Sequence, residues 1–214
     1  AFYDKTHAYG YEQPTGGCGF FEAIDDQELA NLMFDASRDW LKERGMEAMD
    51  GPVNFGSRDA WWGLLVEGFE YQPLFENPYN PPYYKDLFEN YGFQNYFNQN
   101  TYLWKVYDDD VNEVVYDRVK RLMSTPGYRF SPIGNEDLYS AVEKFRVIYN
   151  KAWSLFTGVQ PMTVEEARKM ADTMAPIVDR NLIWFSYFND EPIGFFIMVP
   201  DLNRLIGKYN GKFG

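Results

Sequence analysis

The chain has 214 residues, of which 45% are hydrophobic, and this is enough apolar side chain to build a core. Its formal net charge is −12 and no cluster of Lys and Arg stands out, so electrostatics oppose binding to nucleic acid or an anionic membrane. The single cysteine cannot form an internal disulfide, and no stretch approaches the ~20 apolar residues that span a bilayer. We therefore expect a globular, cytoplasmic protein without nucleic-acid or membrane partners.

The chain begins with a short apolar segment, a polar loop and a predicted strand at residues 18–24. Asp25 or Asp26 then caps a predicted helix, which ends at Gly45. The apolar residues of this helix follow the 3.6-residue period, and they are Leu29, Leu32, Met33, Ala36, Trp40 and Leu41. The first Ala is not a Met, which is consistent with a fragment of a longer protein.

The next part of the chain is predicted to contain a strand and a helix that are joined by a long loop. Residues 46–53 predict a buried strand, and residues 54–80 form a long loop of a kind that is usually functional or packed by its own aromatics. Residues 81–92 predict a helix with prolines in its first turn and Gly92 at the left-handed position after its end. Residues 93–106 predict one long strand or a hairpin, and periodicity does not decide between them.

The second half alternates helices and strands. Its predicted elements are, in chain order, a helix at 108–124, a strand at 128–133, a helix from Asn135 through residue 156, a helix opened by a Thr163–Glu166 capping box, and a hairpin of strands 182–188 and 192–199.

Many stretches of this chain resemble a subgroup of large, tandem bacterial proteins of unknown substrate in the GNAT superfamily of acyl-CoA N-acyltransferases. The resembling stretches are residues 19–22, 40–41 with Gly45, 51–54, 63–69, 79–84, 148–153, 161–163 with Glu166, and 200–203. The resemblance implies an α/β (α+β) fold, with a mixed, mostly antiparallel sheet flanked by helices.

The order of elements matches the superfamily in two pieces. Residues 1–107 resemble the C-terminal part of one GNAT unit, residues 108–125 a linker helix, and residues 126–214 the N-terminal part of a second unit. Such a chain could close as one permuted domain, or complete its sheets with a second copy as a homodimer, because unpaired strand edges favour association.

The resemblance also implies an acyl-CoA-dependent N-acyltransferase, or a degenerate relative, with acetyl-CoA or another acyl-CoA as donor and a small-molecule or peptide amine as acceptor. The family's pyrophosphate corner corresponds to residues 24–29, which makes Asp26 and Gln27 candidate cofactor residues. Asn54 and Asn80 are candidates to orient the pantetheine arm or an amide, and the alternative is that they are turn residues. The acids at this corner suit a helix start but repel a pyrophosphate, so a self-capped structural helix is the alternative.

The family's general acid, a tyrosine of the last helix, corresponds to Phe88, which has no proton to donate. Tyr84 and Tyr91 are therefore the candidate acids, with Tyr83 as a further choice. Glu67 is the candidate base, because burial in its apolar surroundings would raise a carboxyl pKa; the alternative is an edge strand with Glu67 facing solvent.

Four aromatic residues form a candidate substrate pocket: Trp61, Trp62, Tyr79 and Tyr83. Alternatively, they fill the space under the long loop. The only histidine, His7, lies in a polar loop and is expected at the surface. No Cys/His spacing or calcium loop predicts a metal. A noncatalytic module that binds a small molecule or a peptide is the second functional hypothesis.

Overall fold

We describe the protein from a computed structural model. The structure describes residues 1–5, 8–9, 13–54, 62–105, 112–153 and 161–210, so the predictions for His7 and Trp61 lie outside the described residues. The chain divides into two compact units, Ala1–Tyr102 with Asp201–Gly214, and Leu103–Pro200. Residues 201–210, which the predicted division groups with the second part, thus belong to the first unit.

The elements are, in chain order, β1 (Thr15–Gly17), α1 (Gln27–Lys42), β2 (Ala48–Asp50), α2 (Tyr84–Tyr91), α3 (Glu113–Ser124), β3 (Tyr128–Pro132), α4 (Leu138–Trp153), α5 (Val164–Met174), a 3₁₀ turn (Arg180–Leu182), β4 (Ile183–Phe188), β5 (Glu191–Ile197) and α6 (Leu202–Tyr209). The predicted mixed α/β fold class is confirmed. Among the described helices, none is long and apolar enough to cross a membrane.

The first unit is built on α1 and α2, beside a small sheet in which β1 and β2 pair in parallel. The Asp26 carboxylate caps α1 by accepting a hydrogen bond from Leu29 N at 3.0 Å, as predicted. Gly92 ends α2 with φ 119°, a conformation that glycine adopts without the strain of a Cβ. The core of this unit consists of buried Cys18, Ala30, Phe34, Tyr84, Leu87 and Phe88.

Two strand predictions in this unit are wrong. Residues 18–24 do not form a strand, because the ladder with β2 ends at Gly17 and Phe20 has a left-handed φ of 54°. Residues 93–105 do not form a strand or a hairpin: Phe93 packs on the α1–α2 core, and the side chains after it are exposed. Among the described residues, no strand pairs with this stretch, and an unpaired strand is not stable in water.

The second unit is an antiparallel sheet in the order β3–β4–β5, in which α4 packs against β5 and α5 packs against α4. Its core includes Ile183, Phe185 and Tyr187, which alternate along β4. The predicted hairpin is confirmed, and so is the Thr163–Glu166 capping box of α5. The predicted Asn135 cap is replaced by Asp137, whose carboxylate accepts a hydrogen bond from Ser140 N at 3.0 Å.

Candidate functional site

The candidate site is the irregular stretch of residues 18–24, which we call the 18–24 segment. Its first end is held against the last residue of β2 and the residues that follow it. Cys18 N donates to Asp50 O at 2.8 Å, and Val53 N donates to Cys18 O at 2.7 Å. A Cβ on Gly19 would lie 1.8 Å from Val53 O, so only glycine permits this approach.

Asn54 fixes the next residue of the segment. Its side-chain oxygen accepts a hydrogen bond from Phe20 N at 2.7 Å, and this contact joins residues that are 34 positions apart. Phe20 has φ 54°, a left-handed conformation that is uncommon for an aromatic residue. Asn54 therefore holds the backbone of the segment in a conformation that the local sequence does not favour.

Two tyrosines at the start of α2 hold the other end. The Tyr83 hydroxyl donates to Ala23 O at 2.8 Å, and the Tyr84 hydroxyl accepts from Ala23 N at 3.0 Å. The Tyr84 hydroxyl also donates to Glu22 Oε2 at 3.1 Å. Burial raises the pKa of Tyr84; the Ala23 N–H lowers it, and the Glu22 carboxylate raises it again. Tyr84 therefore keeps its proton at neutral pH while it orients an exposed carboxylate.

Side chains of the segment divide between the core and the outside. Phe21 stacks on Phe34 with ring centroids 4.9 Å apart, while Phe20 and Ile24 are 63% and 67% exposed. Glu22 is also exposed. The segment thus exposes the Glu22 carboxylate and two apolar side chains, Phe20 and Ile24.

Asp26 and Gln27, the predicted cofactor residues, have structural partners. Asp26 caps α1 through its hydrogen bond from Leu29 N. The Gln27 side chain joins α1 to α2, because Nε2 donates to Leu87 O at 3.1 Å and Oε1 accepts from Asn90 Nδ2 at 3.2 Å. These contacts support the alternative of a self-capped helix start.

Asn80 is 8% exposed and pairs with the long loop that precedes α2. Its oxygen accepts from Leu65 N at 2.8 Å, and its Nδ2 donates to Leu65 O at 3.2 Å. The amide thereby substitutes for a neighbouring strand, since it satisfies both backbone groups of one residue. Asn54 and Asn80 thus each bind the backbone of a segment that is distant in sequence.

Tyr91, the second candidate acid, lies in a different hydrogen-bond network from Tyr84. Its hydroxyl donates to Asp35 Oδ1 at 2.8 Å and accepts from Arg38 Nη1 at 3.1 Å. Burial, and then the hydrogen bond to Asp35, raises the pKa of Tyr91. This residue joins α2 to α1, and neither of these partners belongs to the 18–24 segment.

The remaining predicted residues are dispersed. Glu67 lies in an exposed bend, so the expectation that apolar surroundings bury its carboxylate is wrong. Tyr79 is 63% exposed, and Trp62 forms an isolated antiparallel bridge with Val53. Among the candidate pocket residues, Tyr83 contacts the 18–24 segment directly, through the hydrogen bond that its hydroxyl donates to Ala23 O.

Sequence reasoning missed Glu22 as a site residue. Its contact with Tyr84 spans 62 positions and has no local signal. Phe88 is buried in the core, and its ring centroid lies 4.7 Å from that of Phe34. This burial explains why an apolar residue occupies the position. Burial also raises the pKa of the Cys18 thiol to about 11, so this thiol stays protonated at neutral pH.

The chain is similar to two curated proteins. The bacterial ceramide synthase of Caulobacter vibrioides (strain NA1000 / CB15N) is 31% identical over 206 residues, which cover 94% of this chain and 53% of that protein. Protein YghO of Escherichia coli (strain K12) is 26% identical over 211 residues, which cover 98% of this chain and 53% of that protein. The chain thus spans about half the length of the curated relatives it matches. No family model matches the chain, and no solved structure does.

Proposed function

We propose that this chain belongs to an acyl-CoA-dependent N-acyltransferase of the cytoplasm, which transfers a fatty acyl group to a long-chain amine. Two similarities of the sequence support the proposal. Many stretches of the sequence resemble GNAT acyltransferases, and a relative that is 31% identical over 94% of this chain is named a ceramide synthase. A ceramide is the amide of a long-chain amino alcohol, so its synthesis is an N-acylation.

The observation that carries the proposal is the contact between Tyr84 and Glu22. An N-acyl transfer needs a base for the amine proton and an acid for the departing thiolate. The exposed Glu22 carboxylate is available to a substrate amine, and the Tyr84 hydroxyl, 3.1 Å away, carries a proton at neutral pH. Glu22 thereby takes the role of base that the sequence predicted for Glu67.

In the proposed reaction, the amine nitrogen attacks the thioester carbonyl carbon and loses a proton to Glu22. The new C–N bond remains, the C–S bond breaks, and the CoA thiolate takes the proton of the Tyr84 hydroxyl. Glu22 then returns its proton to the Tyr84 oxygen across their hydrogen bond, so both groups regain their starting states. The atoms and charges of this sequence balance with acyl-CoA and the amine as the two reactants.

A noncatalytic binding module is the second candidate, and one observation favours it. The Asp26 carboxylate occupies the start of α1, where the resemblance places the CoA pyrophosphate. A carboxylate at this position repels a phosphate. In this alternative, the 18–24 segment binds a small molecule or a peptide, and acyl-CoA does not bind.

Calorimetry and a transfer assay separate the two candidates. We expect the folded chain to bind acyl-CoA and to release free CoA thiol in the presence of a long-chain amine, with the amide product detected by mass spectrometry. The Glu22→Gln variant is expected to bind acyl-CoA normally and to lose about 10²–10⁴-fold in transfer rate, the usual size of an acid–base contribution. A folded chain that binds no acyl-CoA of any chain length would overturn the acyltransferase proposal.

A further inference from the structure

Helix α3 keeps its apolar side chains exposed. None of the 12 residues of this helix is buried. A helix of this length is only marginally stable in water by itself, and most helices in proteins are stabilised by packing of an apolar face. Since no side chain of α3 is buried among the described residues, its apolar side is available to a partner.

The apolar side chains of α3 lie together on one side of the helix. Successive residues of an α-helix are rotated by about 100°, so residues three and four apart share a face. By this rotation, an arc of about 120° contains only apolar or aromatic side chains, which are, in order around the helix, Leu122, Val115, Val119, Met123 and Tyr116. We call this set the apolar arc, and its members are between 41% and 67% exposed. The arc is as wide as the stripe by which a surface helix normally packs on a core.

The charges of α3 are arranged around the apolar arc. Arg118 lies at one border of the arc and Lys120 at the other, whereas Glu113 and Asp117 lie on the opposite side of the helix. An apolar face with basic residues beside it is typical of a helix that lies in the plane of a membrane surface. In that position, the stems of Arg and Lys lie along the apolar surface and their charged ends reach the lipid headgroups.

The net charge of −12 does not decide whether this face binds an anionic surface. Attraction and repulsion between exposed charges act over about 8 Å at physiological ionic strength. A helix is about 10–12 Å across, so acids on the far side of α3 lie beyond this distance from a surface that the apolar arc contacts. The aspartates at 108–110 precede the acidic end of the helix in sequence, whereas its basic residues lie towards the other end.

We propose that α3 docks on a lipid bilayer with anionic headgroups, with its axis in the plane of the surface and the apolar arc between the headgroups. The inference rests on the faces of α3 and goes beyond the proposed function, although the two agree. A long-chain amine and its N-acylated product are lipids, and an enzyme at the membrane surface meets them where they are concentrated. The expectation of no membrane partner is thereby revised, because it rests on charge summed over the whole chain.

Cosedimentation of the chain with lipid vesicles tests the proposal. We expect wild-type protein to bind vesicles that contain about one third phosphatidylglycerol. Each basic residue at an anionic surface strengthens binding by about fivefold, so the two border residues together should contribute about 25-fold. Binding to vesicles of phosphatidylcholine alone should therefore be weaker by about 5–25-fold.

Two valines of α3 provide a matched pair of variants. Val119 lies at the centre of the apolar arc and is 46% exposed, while Val114 lies outside the arc and is 53% exposed. Val119→Ser should weaken binding to vesicles by about 3–10-fold, because the lost side chain contacts the bilayer, and Val114→Ser should weaken it by less than about twofold. Both variants make the same exchange at an exposed helical position, so urea unfolding should show the same stability for both.

Three basic residues provide a second matched set. Arg118→Gln and Lys120→Gln each remove a charge from a border of the arc, and each should weaken binding to anionic vesicles by about fivefold. Arg121→Gln removes the same charge from the side opposite the arc, and it should weaken binding by less than about twofold. None of the three should change binding to phosphatidylcholine alone by more than about twofold.

The proposal is overturned if wild-type protein binds neither kind of vesicle, or if the two valine variants lose binding equally. Equal losses for the three charge variants would overturn it too, because the effect would then follow net charge and not the face. A second copy of the chain is the competing occupant of the arc. Self-association without lipid that Val119→Ser abolishes, in protein that binds no vesicles, would assign the arc to a dimer interface and overturn the proposal.

The inference and the proposed function fail in different experiments. Protein that binds vesicles through Val119 but transfers no acyl group would overturn only the acyltransferase. Protein that transfers acyl groups but does not bind vesicles would overturn only the docking surface.

Discussion

The Tyr84→Phe variant tests the proposed chemistry most directly, because it removes one oxygen atom and keeps the ring in the core. The lost hydroxyl makes two hydrogen bonds, from Ala23 N at 3.0 Å and to Glu22 Oε2 at 3.1 Å. Leaving the part-buried Ala23 N–H without its partner costs about 1–3 kcal/mol in the free energy of unfolding. Exposed Glu22 can bind water instead. We therefore expect a folded variant of reduced stability.

Tyr83→Phe is the matched control. It removes the neighbouring hydroxyl, which donates to the carbonyl of the same Ala23 at 2.8 Å, and it should cost about 0.5–1.5 kcal/mol in the free energy of unfolding. The proton of the Tyr83 hydroxyl is directed at this carbonyl, whereas that of Tyr84 is directed at Glu22. The two variants thus lose similar structural contacts, but only one loses the proposed acid.

We expect Tyr84→Phe to lower the rate of acyl transfer by about 10²–10⁴-fold, and Tyr83→Phe to lower it by less than about tenfold. Urea unfolding of the same preparations checks that both variants are folded during the assay. Equal transfer rates for the two variants would refute the role of Tyr84. The role of Tyr84 would also be refuted if, in both variants, the loss of transfer rate were proportional to the loss of unfolding free energy.

Two further predictions concern stability. Gly19→Ala should destabilise the protein more than Gly45→Ala in urea unfolding. The Cβ at position 19 would lie 1.8 Å from Val53 O, whereas that at Gly45 meets nothing within 4 Å and costs only the strain of a left-handed φ of 78°, about 1–2 kcal/mol; equal costs would contradict the close approach. In the second unit, burial alone raises the pKa of Glu136, but hydrogen bonds from Lys144, at 2.8 Å, and from a neighbouring hydroxyl outweigh it, so the pKa of Glu136 is lowered. The resulting stability is present above about pH 4.3, the ordinary glutamate value, and is lost as the pH falls through the lowered one. Glu136→Gln should therefore destabilise by about 1–2 kcal/mol at pH 7 and by progressively less as the pH falls below about 4.3; a difference that stays constant as the pH is lowered would contradict the lowered pKa.

The helices of the first unit can be predicted because their signals are local. Asp26 precedes a run of apolar residues at helical spacing and marks the start of α1. Gly92 follows such a run and marks the end of α2. The Thr163–Glu166 box and the β4–β5 hairpin are local in the same sense. Helix α6 is absent from the predicted elements, although Asp201 caps it by accepting from Asn203 N at 3.1 Å.

The candidate site can be predicted only in part. Tyr83, Tyr84 and Asn54 are candidates from the sequence, and the structure brings all three onto the 18–24 segment. Their partners lie 34 to 62 positions away, however, and no periodicity reports such a contact. For this reason, the sequence does not predict Glu22. It predicts Glu67 as the base instead, because apolar neighbours in sequence suggest that Glu67 is buried, whereas in the structure it is exposed.

The double contact of α2 with Ala23 has a consequence for local opening. Tyr83 and Tyr84 bind the C=O and the N–H of one residue that belongs to no helix or strand. In native-state hydrogen exchange, an irregular segment usually exchanges freely, yet the Ala23 amide can exchange only after the Tyr84 hydroxyl withdraws. The protection of this amide should therefore match that of α2 rather than that of its neighbours in sequence, and a single resonance would report whether the segment and the helix open as one cooperative unit.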